Sequence, residues 1–337
     1  MPNPATIRDV AETAGVSIAV VSRVINVGSG PVAPATRQRV IEAIERLSYS
    51  PRTAARELKS GPTATLGLLL PDVTNSFFAR LSDRVVWEAR SRGVQVILMT
   101  TQEDPRLEEE ALATLASRRV AGIIGTPTAT NAAAWEGLAR VGTRVAFIDR
   151  YLSDTTIADV VSIDGSKAVV DATRHLVDLG HSRIGFISGP LATSTGRSRT
   201  VAHTDYLRSL DMDVDPELIR NVPFRGHQGG DAVSSMLDMA SPPTALIVAN
   251  TAQVVSSMRT LRQRGTAIPS ELSVIVFDDD PWAELFQPAL TAVHLPTDML
   301  ALHALELVLS TENHSKSRSI LVEAEFIVRS STGRPSA

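Results

Sequence analysis

Hydrophobic positions follow two different rhythms along this chain. In residues 6–47 they recur at helical intervals: Val10, Ala11 and Ala14, then Val20, Val21, Val24 and Ile25, then Val40, Ile41, Ile44 and Leu47. Spacings of three and four put each set on one helix face, so three short amphipathic helices are predicted, the third from about Ala35 to Leu47. Thr6 is placed to cap the first, with Asp9 three residues on as the acid of a capping box. Gly15 ends it and Ser17 can cap the second, which leaves Ile18, Ala19, Ser22 and Arg23 outside the apolar stripe, on the face a partner would meet. Two helices about a tight turn have the geometry of a helix-turn-helix that reads DNA, and equally that of a helical hairpin capping a larger body. On such a face small and apolar side chains can pack against thymine methyls, and Arg23 can donate to a guanine edge or a phosphate. Tyr49-Ser50-Pro51 then breaks the chain, and Arg52 to Lys59 has helix-forming composition before Ser60-Gly61-Pro62 stops it. So short a helix is marginal alone in water and is expected to form only against a partner.

From Thr65 the rhythm changes to short continuous apolar runs alternating with amphipathic stretches. Leu66–Leu70, Val94–Met99, Gly122–Thr126, Val145–Ile148, Ile184–Gly189, Ala245–Ala249 and Val274–Phe277 read as buried parallel strands. Between them Phe77–Arg92, Arg106–Arg118, Ala132–Arg140, Ser166–Leu179, Arg199–Leu210, Gly229–Met239, Thr251–Arg264 and Thr297–Leu309 read as helices. Ser310–Ser319 is polar and predicts a loop, and Ile320–Val328 a final strand. A βα series of this length predicts a doubly wound α/β body with two lobes, the change of lobe falling near Val160–Ile163 with a return after Phe277. The expected organisation is a helical domain in residues 1–49, a linker in 50–62 and a two-lobed body in 63–332. Its lobes are expected to comprise 63–160 with 279–295, and 161–278 with 296–332.

A cleft between such lobes lies at the C-terminal ends of the strands. Residues that follow strand ends are therefore the candidate site: Asp72, Asn75, Thr126, Asp149, Arg150, Ser194, Arg197, Asn250, Asp278 and Asp279. Taken singly, each also suits a cap or a turn. Composition narrows the chemistry. The 337 residues contain no cysteine, which excludes disulfides and thiolate catalysis and permits a reducing cytoplasm. No apolar run approaches the ~20 residues of a membrane span, and the N-terminus lacks the pattern of an export signal. The net charge of −4 is unevenly spread, with +3 in residues 1–61 and −7 in the remainder. A small basic module on an acidic body fits phosphate contact by the module alone. An enzyme reading finds no phosphate-binding loop, no Gly-x-Gly-x-x-Gly, no Gly-x-Ser-x-Gly and no histidine pair at metal-ligand spacing, since His175 and His181 do not share a helix face. Asp278 and Asp279 have no accompanying nucleophile or metal set. A solute-binding protein shares the two-lobed body but is not preceded by a helix-turn-helix.

Thr6-Ile7-Arg8-Asp9-Val10-Ala11, Gly15-Val16-Ser17, Val21-Ser22-Arg23-Val24-Ile25-Asn26, Thr36-Arg37 and Tyr49-Ser50-Pro51 together resemble the lactose-repressor (LacI/GalR) family of bacterial transcription regulators. Pro71-Asp72-Val73-Thr74-Asn75-Ser76-Phe77-Phe78, Asp149-Arg150, Gly180-His181-Ser182-Arg183-Ile184, Ser194-Thr195-Gly196-Arg197 and Phe277-Asp278-Asp279 extend the resemblance to about Thr332. It implies an N-terminal all-α helix-turn-helix domain on a periplasmic-binding-protein-like doubly wound α/β body, in a cytoplasmic repressor with no cofactor, no metal and no membrane partner. Such a protein binds double-stranded operator DNA as a homodimer and answers to a small polar effector.

By position the resemblance implies DNA contacts at Thr6, Ser17, Ile18, Ala19, Ser22, Arg23 and Asn26, and a hinge helix at Arg52–Lys59 whose Ala55 and Leu58 enter the minor groove. It implies effector contacts at Asn75, Phe77, Phe78, Asp149, Arg150, Arg197, Phe224, Asn250 and Asp278. Carboxylates and amides there suit hydroxyl groups, and an aromatic face suits a sugar ring or a base, although Phe78 and Phe224 suit a core equally. The chain departs from the family pattern at Val20 (usually threonine), Ala33 (serine), Arg52 (asparagine), Thr251 (aspartate), Ala202-His203 (Gly-Tyr) and Gly165 (asparagine). No leucine heptad extension follows Ser330, which favours a dimer over a dimer of dimers.

Overall fold

A computed structural model describes residues 5–25, 31–47, 49, 65–152, 157–310 and 317–336. The chain divides into two units, Met1–Thr63 and Ala64–Ala337. The first unit contains α1 (Ile7–Ala14), α2 (Ile18–Ile25) and α3 (Pro34–Arg46). The expected capping box forms: the Asp9 amide donates to Thr6 Oγ1, and the Thr6 amide donates to Asp9 Oδ2 at 2.7 Å. Gly15 closes α1 with a left-handed φ of 64°, which a side chain would resist. Val10, Ala11, Ala14, Val21, Val24, Val40 and Ala43 make the core. Ile41 is 37% exposed, so the inward stripe of α3 runs through Val40 and Ala43 and places Ile41 about 100° round the helix. Ala33 gives α3 no side-chain cap; Pro34 opens it instead, its ring presetting the helical φ. The hinge segment Arg52–Lys59, with Ala55 and Leu58, and Asn26 lie outside the described residues.

The second unit holds two sheets of six strands. The first comprises β1 (Thr65–Leu70), β2 (Gln95–Thr100), β3 (Gly122–Gly125), β4 (Arg144–Ile148), β5 (Asp159–Ile163) and β11 (Ser319–Val322), in the order β11-β5-β4-β3-β1-β2. The second comprises β6 (Ile184–Ser188), β7 (Ile219–Asn221), β8 (Ala245–Val248), β9 (Ser273–Phe277), β10 (Thr291–His294) and β12 (Glu325–Ile327), in the order β12-β10-β9-β8-β6-β7. Pairing is parallel throughout except between β10 and β12. Without their last strands, β2-β1-β3-β4-β5 and β7-β6-β8-β9-β10 are one topology used twice.

Helices cover both sheets: α4 (Ser76–Ser91), α5 (Pro105–Ser117), α6 (Ala132–Arg140), α7 (Gly165–Asp178), α8 (Ser194–Ser209), α9 (Gln228–Leu237), α10 (Val254–Arg264), α11 (Pro281–Leu285) and α12 (Thr297–Leu309). One apolar core runs from α4 and α12 in the first lobe to α7 and β6 in the second, through Leu81, Leu305, Val169 and Phe186. Each outer face has its own core, around Leu115, Trp135 and Phe147 in the first lobe and Val233, Met258 and Val274 in the second.

The lobes divide otherwise than the sequence pattern predicts. β5 completes the first sheet, β10 belongs to the second, and α12 packs on α4 and the first sheet, so 279–295 lies in the second lobe, and α12 and β11 lie in the first. The predicted strand Ile320–Val328 is two strands in different sheets. Periodicity identifies a strand but carries no information about which open sheet edge it joins.

Candidate functional site

The first unit presents a face for a partner. Ile18 is 43% exposed, and Ser17, Ala19 and Arg23 are exposed beside it, while Val21 and Val24 on the same helix are buried. Thr6 is exposed too, with its hydroxyl donating to Asp9 at 2.7 Å. Ser22 is half-buried. Arg8, Arg37, Arg39 and Arg46 are exposed on α1 and α3, beside exposed Glu12, Glu42 and Glu45.

In the second unit the strand ends converge as the doubly wound pattern requires. The turn after β1 leads to Asn75, whose Oδ1 accepts from the Phe77 amide to cap α4. The Asn75 amide nitrogen donates to Thr251 Oγ1 of the second lobe at 3.2 Å. Phe77 and Phe78 are 2% and 4% exposed and pack edge to face in the core, so Phe77 is a core residue. The Phe78 ring also faces the Arg150 guanidinium at 5.9 Å.

Asp149 and Asp278 occupy equivalent places. Each follows the fourth strand of its lobe, β4 or β9, with left-handed φ of 66° and 82°; the amide of each donates to the neighbouring strand, to Val161 and Val293 respectively. Arg150 is 3% exposed and donates to both oxygens of Glu103, at 2.8 and 3.0 Å, with its Nε 3.6 Å from Asp149. Its guanidinium lies 4.3 Å from the Phe224 ring. Gly189 makes room for that ring, since a Cβ there would fall 2.4 Å from it. Asn250 is fully buried and donates to the Val222 and Pro223 carbonyls, fixing the backbone before Phe224, while its Oδ1 has no partner.

Arg80, one turn into α4, donates to both Asp278 oxygens, at 2.5 and 2.6 Å, and also to Asp280. Burial pushes the Asp278 carboxyl up to about 6, against the pull of Arg80. Burial also raises Asp149, more than Arg150 and Arg199 lower it.

Arg197 does not join this group. It is exposed and holds the Leu191 carbonyl at 3.1 Å. The inward side of α8 passes through Gly196, Arg199, Thr200, His203 and Leu207. Arg199 therefore reaches the cleft, 6% exposed, with Nη1 on the Ala249 carbonyl at 2.8 Å, its guanidinium 4.8 Å from the Phe277 ring and its Nε without a partner. Burial lowers its pKa although Asp149 lies close. Gly165 leaves space for it: a Cβ there would stand 3.1 Å from Arg199 Nε. Sequence reading missed Arg199, Arg80, Glu103 and the buried Gln253, whose amide nitrogen donates to the Pro223 carbonyl at 2.7 Å. The three-four spacing of buried positions from Gly196 onward picks out Arg199, and the i, i+4 relation of Ser76 and Arg80 puts both on one face. Glu103 and Gln253 carry no such signal.

Both lobes thus supply the walls of a polar cleft. Tyr151 N donates to Ser194 Oγ at 3.2 Å, and Arg225 reaches Asp72 at 3.4 Å across its mouth. Asp149, Arg199 and Asn250 offer it acceptors and donors not fully engaged by protein.

Comparison with known proteins bears on both units. Residues 6–52 match the description "Bacterial regulatory proteins, lacI family", and residues 173–332 match "Periplasmic binding protein-like domain". The HTH-type transcriptional repressor PurR of Photobacterium profundum is 30% identical over 97% of this chain and 98% of its own length. The HTH-type transcriptional regulator DegA of Bacillus subtilis is 30% identical over the same shares. Among solved structures, the lac repressor dimer bound to operator and the anti-inducer ONPF superposes with a TM-score of 0.80, at 25% identity, covering 98% of this chain and 100% of that one.

Proposed function

The chain belongs to the lacI family of bacterial regulatory proteins and is a DNA-binding transcriptional repressor with a periplasmic-binding-protein-like effector domain; we propose that it acts as a homodimer on a palindromic operator, under a small polar effector held between its lobes. The single observation that carries the effector reading is the meeting of partly engaged polar groups from both lobes, Asp149 in one and Arg199 and Asn250 in the other, at the strand ends. Donors and acceptors side by side suit a small hydroxyl-bearing molecule such as a sugar, a sugar phosphate or a nucleoside. A similar structure, the transcriptional regulator CelR–cellobiose complex, has a TM-score of 0.73 at 27% identity and contains a saccharide. The site binds without catalysing: Asp278 and Asp280 are engaged by Arg80, and Glu103 by Arg150, an arrangement that holds groups rather than moves protons.

Apolar surface supports the homodimer. β2 is an edge strand with Leu98 40% exposed, and Val86 and Trp87 of α4 are 43% and 57% exposed. On the second lobe Leu285, 81% exposed, precedes Phe286 of a groove of about 370 Å³ lined by Val255, Met258, Trp282 and Phe286 with Arg259 and Arg262. A knob beside a groove is self-complementary about a twofold axis, and the lac repressor neighbour is a dimer on its operator. In this reading α2 lies in the major groove with Ile18, Ala19 and Arg23 nearest the bases, residues 52–59 form the hinge with Leu58 in the minor groove, and the repressor works in the cytoplasm, on the nucleoid when bound. An effector favouring the lobe arrangement that cannot hold DNA induces, and one favouring the competent arrangement co-represses.

Selection of duplexes from a random pool by the full chain tests the DNA half. It is expected to return a palindrome, and Arg23→Ala is expected to cost about 1–3 kcal/mol at one base pair per half-site. A thermal-shift screen of sugars, sugar phosphates and nucleosides tests the effector half, because a ligand of the folded state raises its stability. Recovery of no sequence, or a flat screen, overturns the corresponding half.

A further inference from the structure

Three consecutive aspartates follow β9, and they are used in opposite directions. Asp279 turns into its own lobe, where Arg329 donates to its two oxygens at 2.6 and 2.8 Å. Asp278 and Asp280, on either side of it, turn across the cleft to a single guanidinium of the first lobe, that of Arg80. Ser76, one turn earlier on α4, donates to the second oxygen of Asp280 at 2.5 Å, and Asn75 reaches Thr251 at 3.2 Å. One turn of one helix therefore grips two segments of the opposite lobe.

We propose that Arg80 is a built-in occupant of the cleft: its guanidinium latches the two lobes together while no effector is bound, and an effector shifts the lobes by taking Asp278 from it. The inference rests on the effector-cleft reading above and adds the means by which that cleft acts.

The chemistry favours a releasable latch over a packed structural pair. Both carboxylates are buried, at 4% and 7% exposure, whereas the Arg80 side chain is one-third exposed. Two carboxylates share one cation, so withdrawal of Arg80 leaves two like charges side by side, and that edge of the cleft holds closed only with a donor in place. Asp278 sits at a left-handed φ of 82°, at a turn where backbone rotation swings the segment from Asp279 into α11. A hydroxyl or amino group of an effector bonds Asp278 without tying it to α4, which leaves Asp280 alone to hold Arg80 and Ser76. By contrast, Arg150, 3% exposed, makes its salt bridge to Glu103 inside one lobe and meets the opposite lobe only through the face of the Phe224 ring, so no ion pair is there to be taken across the cleft.

The test is amide hydrogen exchange on the full chain. Arg80→Ala is expected to raise exchange at least about tenfold in residues 75–82 and 278–286, with β3, β8 and α1–α3 unchanged. Methylguanidinium chloride is expected to restore most of the protection in Arg80→Ala by refilling the same place, and sodium chloride at equal ionic strength is not. Asp280→Asn keeps the shape of the site and is expected to show the same pattern to a smaller extent, which covers the case of an Arg80→Ala protein that does not fold. Unchanged exchange at both segments, a rise spread over the whole body, or equal rescue by sodium chloride overturns the latch. Operator binding by the same variants is read separately. Loss of DNA recognition in the parent protein with the exchange pattern intact would sink the regulatory reading and leave the latch standing.

Discussion

The two lobes carry the same residue at the same place and put it to different use. Asp149 and Asp278 share strand position, left-handed backbone, burial and a hydrogen bond to the next strand. Asp149 makes its ion pair within its own lobe, with Arg150, which Glu103 grips in turn, while Arg199 of the second lobe lies close by. Asp278 is met from across the cleft by Arg80. A repeated topology therefore fixes where a carboxylate stands, and the origin of the cation that bonds it directly decides whether its salt bridge stays in one lobe or joins two.

The sharpest way to break the contrast is Arg150→Met. It strands Asp149 and Glu103 without their shared cation and is expected to cost about 3–5 kcal/mol in urea unfolding, as loss of one partner in a buried pair does. An outcome below about 1 kcal/mol would mean that the first-lobe pair is as loose as a surface one.

The next contrast lies in acid. The second lobe buries His203, its ring stacked on Phe186 at 4.3 Å and its Nδ1 3.0 Å from Thr173 Oγ1. Burial lowers its pKa to about 3. Because the folded value lies below the unfolded one, this contribution to stability is complete above about 6.5 and is lost as pH falls towards 3. By about pH 4 the loss amounts to about 3 kcal/mol, which His203→Phe is expected to avoid; parallel pH–stability curves for the two proteins would remove His203 from the account.

The smallest effect compares Asp149→Asn with Asp278→Asn. Asparagine tolerates the left-handed backbone, so each is expected to change unfolding by about 1 kcal/mol or less. Only Asp278→Asn is expected to loosen residues 75–82 in hydrogen exchange, and equal behaviour of the pair would erase the distinction between the lobes.

Much of this was legible in the chain. Thr6, Asp9 and Gly15 specify α1 by local chemistry, and the strand-end rule points to Asp149, Asn250 and Asp278, which the fold buries at the ends of β4, β8 and β9. Arg197 was misplaced because a motif names residues by order, whereas a helix presents them by angle: two positions on, Arg199 faces the opposite way. Glu103 and Arg80 were not legible, since their importance lies in partners 47 and about 200 residues distant.

By itself the sequence determined what depends on neighbours within a few residues: the capped helices of the first unit, the alternation of strands and helices in the second, and the family to which both belong. Tertiary structure alone decided the exchange of strands between lobes, the inward turn of Arg199 and the pairing of Arg80 with Asp278 and Asp280. Those depend on which surfaces meet after the chain has crossed between lobes, and a periodicity of two or of 3.6 records a face but not what it faces.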